Sequence, residues 1–299
     1  MQPRLLVLCG PTGSGKTALS IQLAQQLGCN ILCADSRQIY REMETGTAKP
    51  TVLEQAQVPH WGLDLVLPAE AYSAARYAEY AQACLTQLFA TQQPIQILCG
   101  GTGLYIQAVC EGLDEIPPTL PETRSLLGQR LAAEGLDSLV AELKRVDAAT
   151  WQRIDLRNPR RVQRALEVYY DTGRPLSAWQ AGGPRPRAFS VQYYALDWPR
   201  AVLYARIDQR VDEMMAAGLV AETEQLLDRY GPQAPGLQAI GYAETVAYLQ
   251  GAYDIATLTD QIKQHTRNYA KRQLSWFRRL AGLQWLAPHQ ALQQLCASI

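Results

Sequence analysis

The sequence predicts an α/β protein, a parallel-sheet core carrying an inserted helical domain. Three observations predict it. Short apolar runs, such as residues 5–9 and 31–34, read as strands buried on both faces. Amphipathic stretches of helical period follow them, and strands alternating with helices imply parallel pairing through right-handed crossovers. The texture then changes after about Leu113, where Pro117, Pro118 and Pro121 precede a run of helical patterns before a strand-like stretch returns at residues 191–196.

Residues 5–9 are the first strand, and a Gly-rich turn follows. Leu19, Leu23, Ala24 and Leu27 then recur at helical spacing until Gly28 stops the helix. Residues 31–34 form a second apolar run that ends at Asp35. Residues 73–89 read as a helix with Ala74, Tyr77, Ala81, Leu85 and Leu88 on one face. The third strand, residues 95–99, ends in Gly100-Gly101-Thr102-Gly103. In the insertion, Asn158 caps a helix that opens on Pro159 and closes at Gly173, with Val162, Leu166 and Tyr169 as its apolar face. Gly182-Gly183-Pro184 with Pro186 marks a loop. A long helix over residues 260–281 follows near the C-terminus. The expected organisation is a core of residues 1–113 and 191–299 with a helical insertion at 114–190.

Lys and Arg total 28, as do Asp and Glu, so the formal net charge is zero. That balance argues against a protein that merely coats nucleic acid, though not against a local basic groove. The seven cysteines are odd in number and form no C-x-x-C pair, so buried free thiols are expected rather than a disulfide framework or metal site. No apolar run approaches the ~20 residues of a membrane span, and no cleavable leader is visible, so the expected compartment is the cytoplasm. His60 and His265 are isolated, and structural or surface roles are expected of them.

The reaction class comes from one motif. Gly10-Pro11-Thr12-Gly13-Ser14-Gly15-Lys16-Thr17 matches G-x-x-x-x-G-K-[ST], with a strand before it and a helix after it. Such a phosphate-binding loop, or P-loop, turns backbone N–H groups and a helix N-terminus toward phosphate oxygens. Lys16 adds a cation, and the Thr17 hydroxyl is placed to coordinate Mg²⁺, the expected cofactor. The motif announces a di- or triphosphate, ATP included, without saying which. Nucleotide hydrolases of this class hold their metal with an acid at the end of an apolar strand. The third strand here ends in Gly100-Gly101-Thr102, leaving Asp35, and more weakly Asp64, as candidates.

Further motifs accompany the P-loop: Asp35-Ser36-Arg37-Gln38-Ile39-Tyr40, Gly46-Thr47-Ala48-Lys49-Pro50 and Gly100-Gly101-Thr102-Gly103-Leu104-Tyr105. Tyr72-Ser73, Asn158-Pro159-Arg160-Arg161 with Arg164-Ala165-Leu166-Glu167, Ile240-Gly241-Tyr242 and Lys271-Arg272-Gln273-Leu274-Ser275-Trp276-Phe277-Arg278 complete the series. In this order they span nearly the whole chain, and together they resemble the bacterial tRNA dimethylallyltransferase (tRNA isopentenyltransferase) family. The resemblance implies transfer of a dimethylallyl group from dimethylallyl pyrophosphate to N6 of the adenosine just 3′ of the anticodon, with pyrophosphate rather than ATP in the P-loop. It also points to Arg124 as a cation for the leaving group and to Thr102 as a polar contact beside donor and base. The residues agree with such chemistry. An aromatic amine needs a base as its C–N bond forms, and Asp35, at the carboxyl end of the second strand, is the expected base.

A tRNA partner requires an extruded nucleotide and a held backbone. Two basic clusters are candidates. Arg153, Arg157, Arg160, Arg161 and Arg164 crowd one helix start, with Val162 and Gln163 among them. Lys263, Arg267, Lys271 and Arg278 share one face of the last helix, bordered by Arg272. No Asp or Glu occurs between Gln261 and Ile299, so this stripe is expected to be unpaired. Asp35, Ser36, Arg37 and Gln38 are candidates for contact with the acceptor base. Three rivals remain at this level. A transferase acting on free AMP has less need of the basic clusters. A small-molecule kinase would use Arg206 and Arg210 over its phosphates. A non-catalytic RNA binder fits poorly with zero net charge and with the placement of Asp35. A monomer is expected.

Overall fold

The computed structural model describes residues 2–91, 93–180 and 187–299, so the Gly182-Gly183-Pro184 segment with Pro186 lies outside the described residues. The chain divides into two compact units, Met1–Cys110 with Arg187–Ile299, and Glu111–Pro186.

The first unit begins β1 (Arg4–Cys9), α1 (Lys16–Leu27), β2 (Ile31–Cys33), α2 (Val52–Gln57), β3 (His60–Trp61), α3 (Ala74–Ala90), β4 (Ile95–Gly100) and α4 (Gly103–Cys110). The second unit contains α5 (Pro121–Glu134), α6 (Leu136–Val146), α7 (Ala148–Arg153), α8 (Pro159–Thr172) and α9 (Leu176–Trp179). The first unit resumes with β5 (Ser190–Leu196), α10 (Arg200–Ala216), α11 (Leu219–Tyr230), a 3-10 turn (Gly236–Gln238), α12 (Tyr242–Leu249), α13 (Ile255–Phe277), β6 (Leu283–Leu286) and α14 (Ala291–Ser298).

Among the described residues six strands form one sheet in the order β3-β2-β4-β1-β5-β6, parallel throughout. Leu5, Val7 and Cys9 enter the hydrophobic cluster on one face, and Leu6 and Leu8 the cluster on the other. That two-sided burial is why β1 reads as an unbroken apolar run. Cys9 lies opposite Gly100, and Cys33 opposite Cys99. The register therefore brings the segments after β1, β2 and β4 to one edge, where ligands bind in open parallel sheets.

The long C-terminal helix differs from the expected span of 260–281. It starts at Ile255, because the Asp254 side chain accepts the Thr257 N–H and caps it, and it stops at Phe277. The chain then turns through Gly282, at φ 76°, so that β6 can pair with β5. β3 and β6, of two and four residues, are too short for periodicity to reveal.

In the second unit, Pro121 opens α5 and Asn158 caps α8, its side chain accepting the Arg160 N–H at 3.1 Å. Leu127, Leu139, Leu143, Val162 and Leu166 are among its fully buried core residues. Among the described residues no helix is long and apolar enough to cross a membrane.

Candidate active site

The turn between β1 and α1 carries the P-loop sequence motif, and its glycines adopt backbone conformations that side chains rarely allow. Gly15, at φ 91°, caps α1 in the left-handed region, and Gly13, at φ 76°, packs so closely that a Cβ there would lie 2.9 Å from Ile207. Lys16 folds back over the loop, its Nζ donating to the Pro11 carbonyl at 2.6 Å. Loss of hydration pushes the Lys16 ammonium below its ordinary value, and the nearby Arg210 guanidinium pushes it the same way. A site that disfavours its own cation is stabilised when an anion arrives.

Two further elements fix the loop from outside. Arg206 of α10 donates through Nε to the Gly13 carbonyl at 2.9 Å, and Trp198 through Nε1 to the Ser14 carbonyl at 2.8 Å. Gln273 of α13 accepts the Thr12 N–H at 2.9 Å and donates to the Gly101 carbonyl at 2.8 Å, joining the P-loop to the turn after β4.

That turn meets the end of β2 at van der Waals limits. A Cβ on Gly100 would lie 2.1 Å from the Ala34 carbonyl oxygen, so only glycine lets the two segments approach. The Thr102 N–H donates to the Ala34 carbonyl at 3.1 Å, and Thr102 Oγ1 accepts the Ser36 N–H at 2.9 Å. Asp35 sits between them, its Oδ1 accepting the Arg37 N–H at 2.9 Å, which orients the carboxylate. Tyr269 of α13 lies beside Thr102; burial first, then the negative charge of Asp35, pushes its phenol up to about 12.

These groups surround a cavity of about 440 Å³ whose lining includes Thr12, Lys16, Thr17, Asp35, Ser36, Arg37 and Gln38. Every lining residue belongs to the first unit. Ile207, Val211, Met214, Ile240 and Ile262 supply an apolar wall, while Arg210, Tyr269 and Arg272 bring polar ends. The cavity thus offers cations at one place, a carboxylate at another and a greasy surface beside both. Arg206 and Arg210, equivalent in the sequence, part company here. Arg206 is tied to the loop's backbone, whereas Arg210 lines the cavity and its buried Nε has no partner among the described residues.

Among the described residues no three His, Cys, Asp or Glu side chains cluster as a metal cage. Thr17 and Asp35 nevertheless line the same cavity. The Thr17 hydroxyl is a hard-oxygen donor of the kind Mg²⁺ takes, and it would hold the ion on the phosphate side of the cavity.

The sequence profile of the family described as IPP transferase matches residues 38–280, and that of isopentenyl transferase matches residues 3–61. The chain belongs to the IPP transferase family. It is 46% identical to tRNA dimethylallyltransferase 1 of Trichlorobacter lovleyi, over 96% of this chain and 94% of the relative. It is 44% identical to the tRNA dimethylallyltransferase of Gloeobacter violaceus, over 97% and 95%. Among solved structures, the tRNA isopentenylpyrophosphate transferase of Bacillus halodurans superposes with a TM-score of 0.73 at 32% identity, over 100% of this chain and 95% of that one. A eukaryotic dimethylallyltransferase acting on tRNA gives a TM-score of 0.84 at 26% identity, over 99% and 78%.

In this IPP transferase family member, the other residues singled out by sequence fall as follows. Arg124 lies on α5, its side chain 67% exposed, with Nε 3.6 Å from the nearly buried carboxylate of Glu167. Arg164 donates to Thr119 Oγ1 at 2.8 Å and stands 3.5 Å from the same carboxylate. Arg160 and Arg161 are exposed and Gln163 half-buried. Val162 corrects the expectation of an RNA-facing residue, because its side chain is fully buried in the second unit's core.

The stripe on α13 is corrected too. Lys263 pairs with Asp212 at 2.7 Å and Arg267 with Asp208 at 2.5 Å, both acids coming from α10. The segment is acid-free in sequence but is supplied with acids in space. Lys271, Arg272 and Arg278 are exposed, and no ion pair involves them among the described residues. Sequence reasoning did not single out Gln273 or Tyr269 as site residues. The first stood inside a quoted motif, but only the fold reveals that it bridges two loops.

Proposed function

We propose that the chain transfers a dimethylallyl group from dimethylallyl pyrophosphate to N6 of the adenosine 3′-adjacent to the anticodon in tRNA, releasing pyrophosphate. One observation carries this reading beyond family membership. Asp35 and Thr102 line or border the same cavity as Lys16 and Arg210, so a base and an anion subsite share one space with an apolar wall.

The step balances as follows. The N6 lone pair of adenine forms a bond to C1 of the dimethylallyl group while the C1–O bond breaks. The bonding pair leaves on pyrophosphate, and the N6 proton passes to the second oxygen of the Asp35 carboxylate. The P-loop amides, Lys16 and Arg210 neutralise the charge developing on the leaving oxygen, where preorganised donors contribute most. Mg²⁺, held through Thr17, adds charge neutralisation at the pyrophosphate oxygens when bound. The resemblance also assigns Arg124 to the leaving group; unchanged transfer by an Arg124→Ala variant would remove that assignment.

The exposed Arg160, Arg161, Lys271, Arg272 and Arg278 are assigned to tRNA phosphates, which position the RNA without reading it. Ser36, Arg37 and Gln38, on the cavity wall beside Asp35, are assigned to the acceptor nucleotide. The protein acts as a cytoplasmic monomer in this reading.

The test is label transfer from dimethylallyl pyrophosphate, with Mg²⁺, to unmodified tRNA, AMP or adenosine in parallel. Label in tRNA alone is expected. Label in AMP would move the chain to a transferase of free nucleotide. Transfer of the terminal phosphate of ATP with no prenylation would make it a kinase.

A further inference from the structure

Glu222 of α11 does not line the cavity and takes no part in the step above. Its carboxylate nevertheless accepts four hydrogen bonds beside the site. It receives the backbone N–H groups of Glu44 at 3.2 Å, Thr45 at 2.9 Å and Gly46 at 3.3 Å, and the Tyr242 hydroxyl at 2.6 Å. Tyr242 is fully buried and its oxygen also accepts the Gly46 N–H at 3.1 Å. The packing leaves no slack, since a Cβ on Gly46 would lie 2.5 Å from the Tyr242 ring.

The next residue is where this matters. The Thr47 carbonyl accepts from Arg210 at 3.5 Å and from Gln38 Nε2 at 3.3 Å, and the Ala48 carbonyl accepts from Gln38 at 3.1 Å. Lys49 anchors the far side of the loop, its buried ammonium donating to the Tyr40 carbonyl and to the carboxylates of Glu44 and Asp64. The loop is therefore clamped on both sides of the one carbonyl that Arg210 and Gln38 share. The buried Nε of Arg210 has no hydrogen-bond partner among the described residues, and Asp35 and Glu213 act on the guanidinium only through their charge.

We propose that Glu222, acting with Tyr242, is a positioning residue for the anion subsite: it fixes residues 44–46, so that the Thr47 carbonyl aims the Arg210 guanidinium into the cavity. The proposal rests on the reading of Arg210 as a contact of the donor's pyrophosphate.

The experiment uses the full chain, inorganic pyrophosphate with Mg²⁺ in calorimetry, and steady-state transfer to tRNA. The variants are Glu222→Gln, Tyr242→Phe, Arg210→Ala and both double variants with Arg210→Ala. Glu222→Gln keeps the volume and removes the charge, so it remains informative if Tyr242→Phe folds poorly. Each clamp variant is expected to weaken pyrophosphate binding and raise the donor KM by about five- to tenfold, the scale of one lost hydrogen bond, with the tRNA KM unchanged. Each double variant is expected to bind pyrophosphate no more weakly than Arg210→Ala alone, because the clamp acts through that side chain. Additive losses, or a lower melting temperature with no change in donor KM, would make the clamp merely structural and overturn the proposal. Unchanged binding by Arg210→Ala would instead overturn the reading of Arg210, and the proposal with it.

Discussion

Thr12 and Gln273, 261 residues apart, are joined by a 2.9 Å hydrogen bond from the Thr12 N–H to the glutamine carbonyl oxygen. The amide's other end donates to the Gly101 carbonyl at 2.8 Å, so one side chain holds the P-loop and the turn after β4 at a fixed separation. Replacing Gln273 with Leu leaves the buried Gly101 carbonyl unpaired, at a cost of about 1–3 kcal/mol, and frees the part-buried Thr12 N–H, which faces the cavity and costs less. The expected result is a lower melting temperature and a raised donor KM. A variant that melts like the parent and binds donor normally would show that the staple is dispensable.

Asp35→Asn keeps the shape of the side chain and the acceptor for the Arg37 N–H but removes the base. General-base catalysis supplies about a hundredfold or more in rate, so kcat should fall by at least that factor while pyrophosphate affinity holds. Retained kcat in single-turnover measurements would take the base role away from Asp35.

Lys16 links donor binding to pH. Its ammonium titrates below the ordinary 10.5, chiefly because burial strips its hydration. A bound anion restores the charged form, so the complex holds more protons than the free protein between the lowered value and the restored one. Affinity for pyrophosphate must therefore fall as the pH rises through that window, with net proton uptake on binding. Calorimetry in buffers of different ionisation enthalpy measures the uptake, and Lys16→Met, which cannot titrate, separates it from the ligand's own protonation. Equal uptake by both proteins would assign the effect elsewhere.

The basic stripe on α13 should split into two classes. Lys271→Ala and Arg272→Ala are expected to weaken tRNA binding and each to reduce the slope of log affinity against log salt by about one. Lys263→Ala should change that slope little, because Asp212 already neutralises the ammonium. Salt titrations of tRNA binding decide it, and equal slopes for all three variants would remove the distinction.

The sequence by itself determined the α/β core, the P-loop and the family resemblance. In each case the signal is local: an apolar run for a strand buried on both faces, a glycine spacing for a backbone that must turn inward, Asn158 and Gly173 for helix ends. Asp35 and Thr102 were legible as partners because parallel strands deliver their carboxyl ends to one edge. Tertiary structure alone decided which charges are paired and which groups converge from afar. Asp208 and Asp212 reach the α13 stripe from α10, and Val162 turns inward amid arginines. Arg206 and Arg210, four residues apart on one helix, acquire different tasks. Periodicity records which face of an element is apolar, whereas a charge's partner is fixed by the packing of elements distant along the chain, and a single sequence carries no term for that packing.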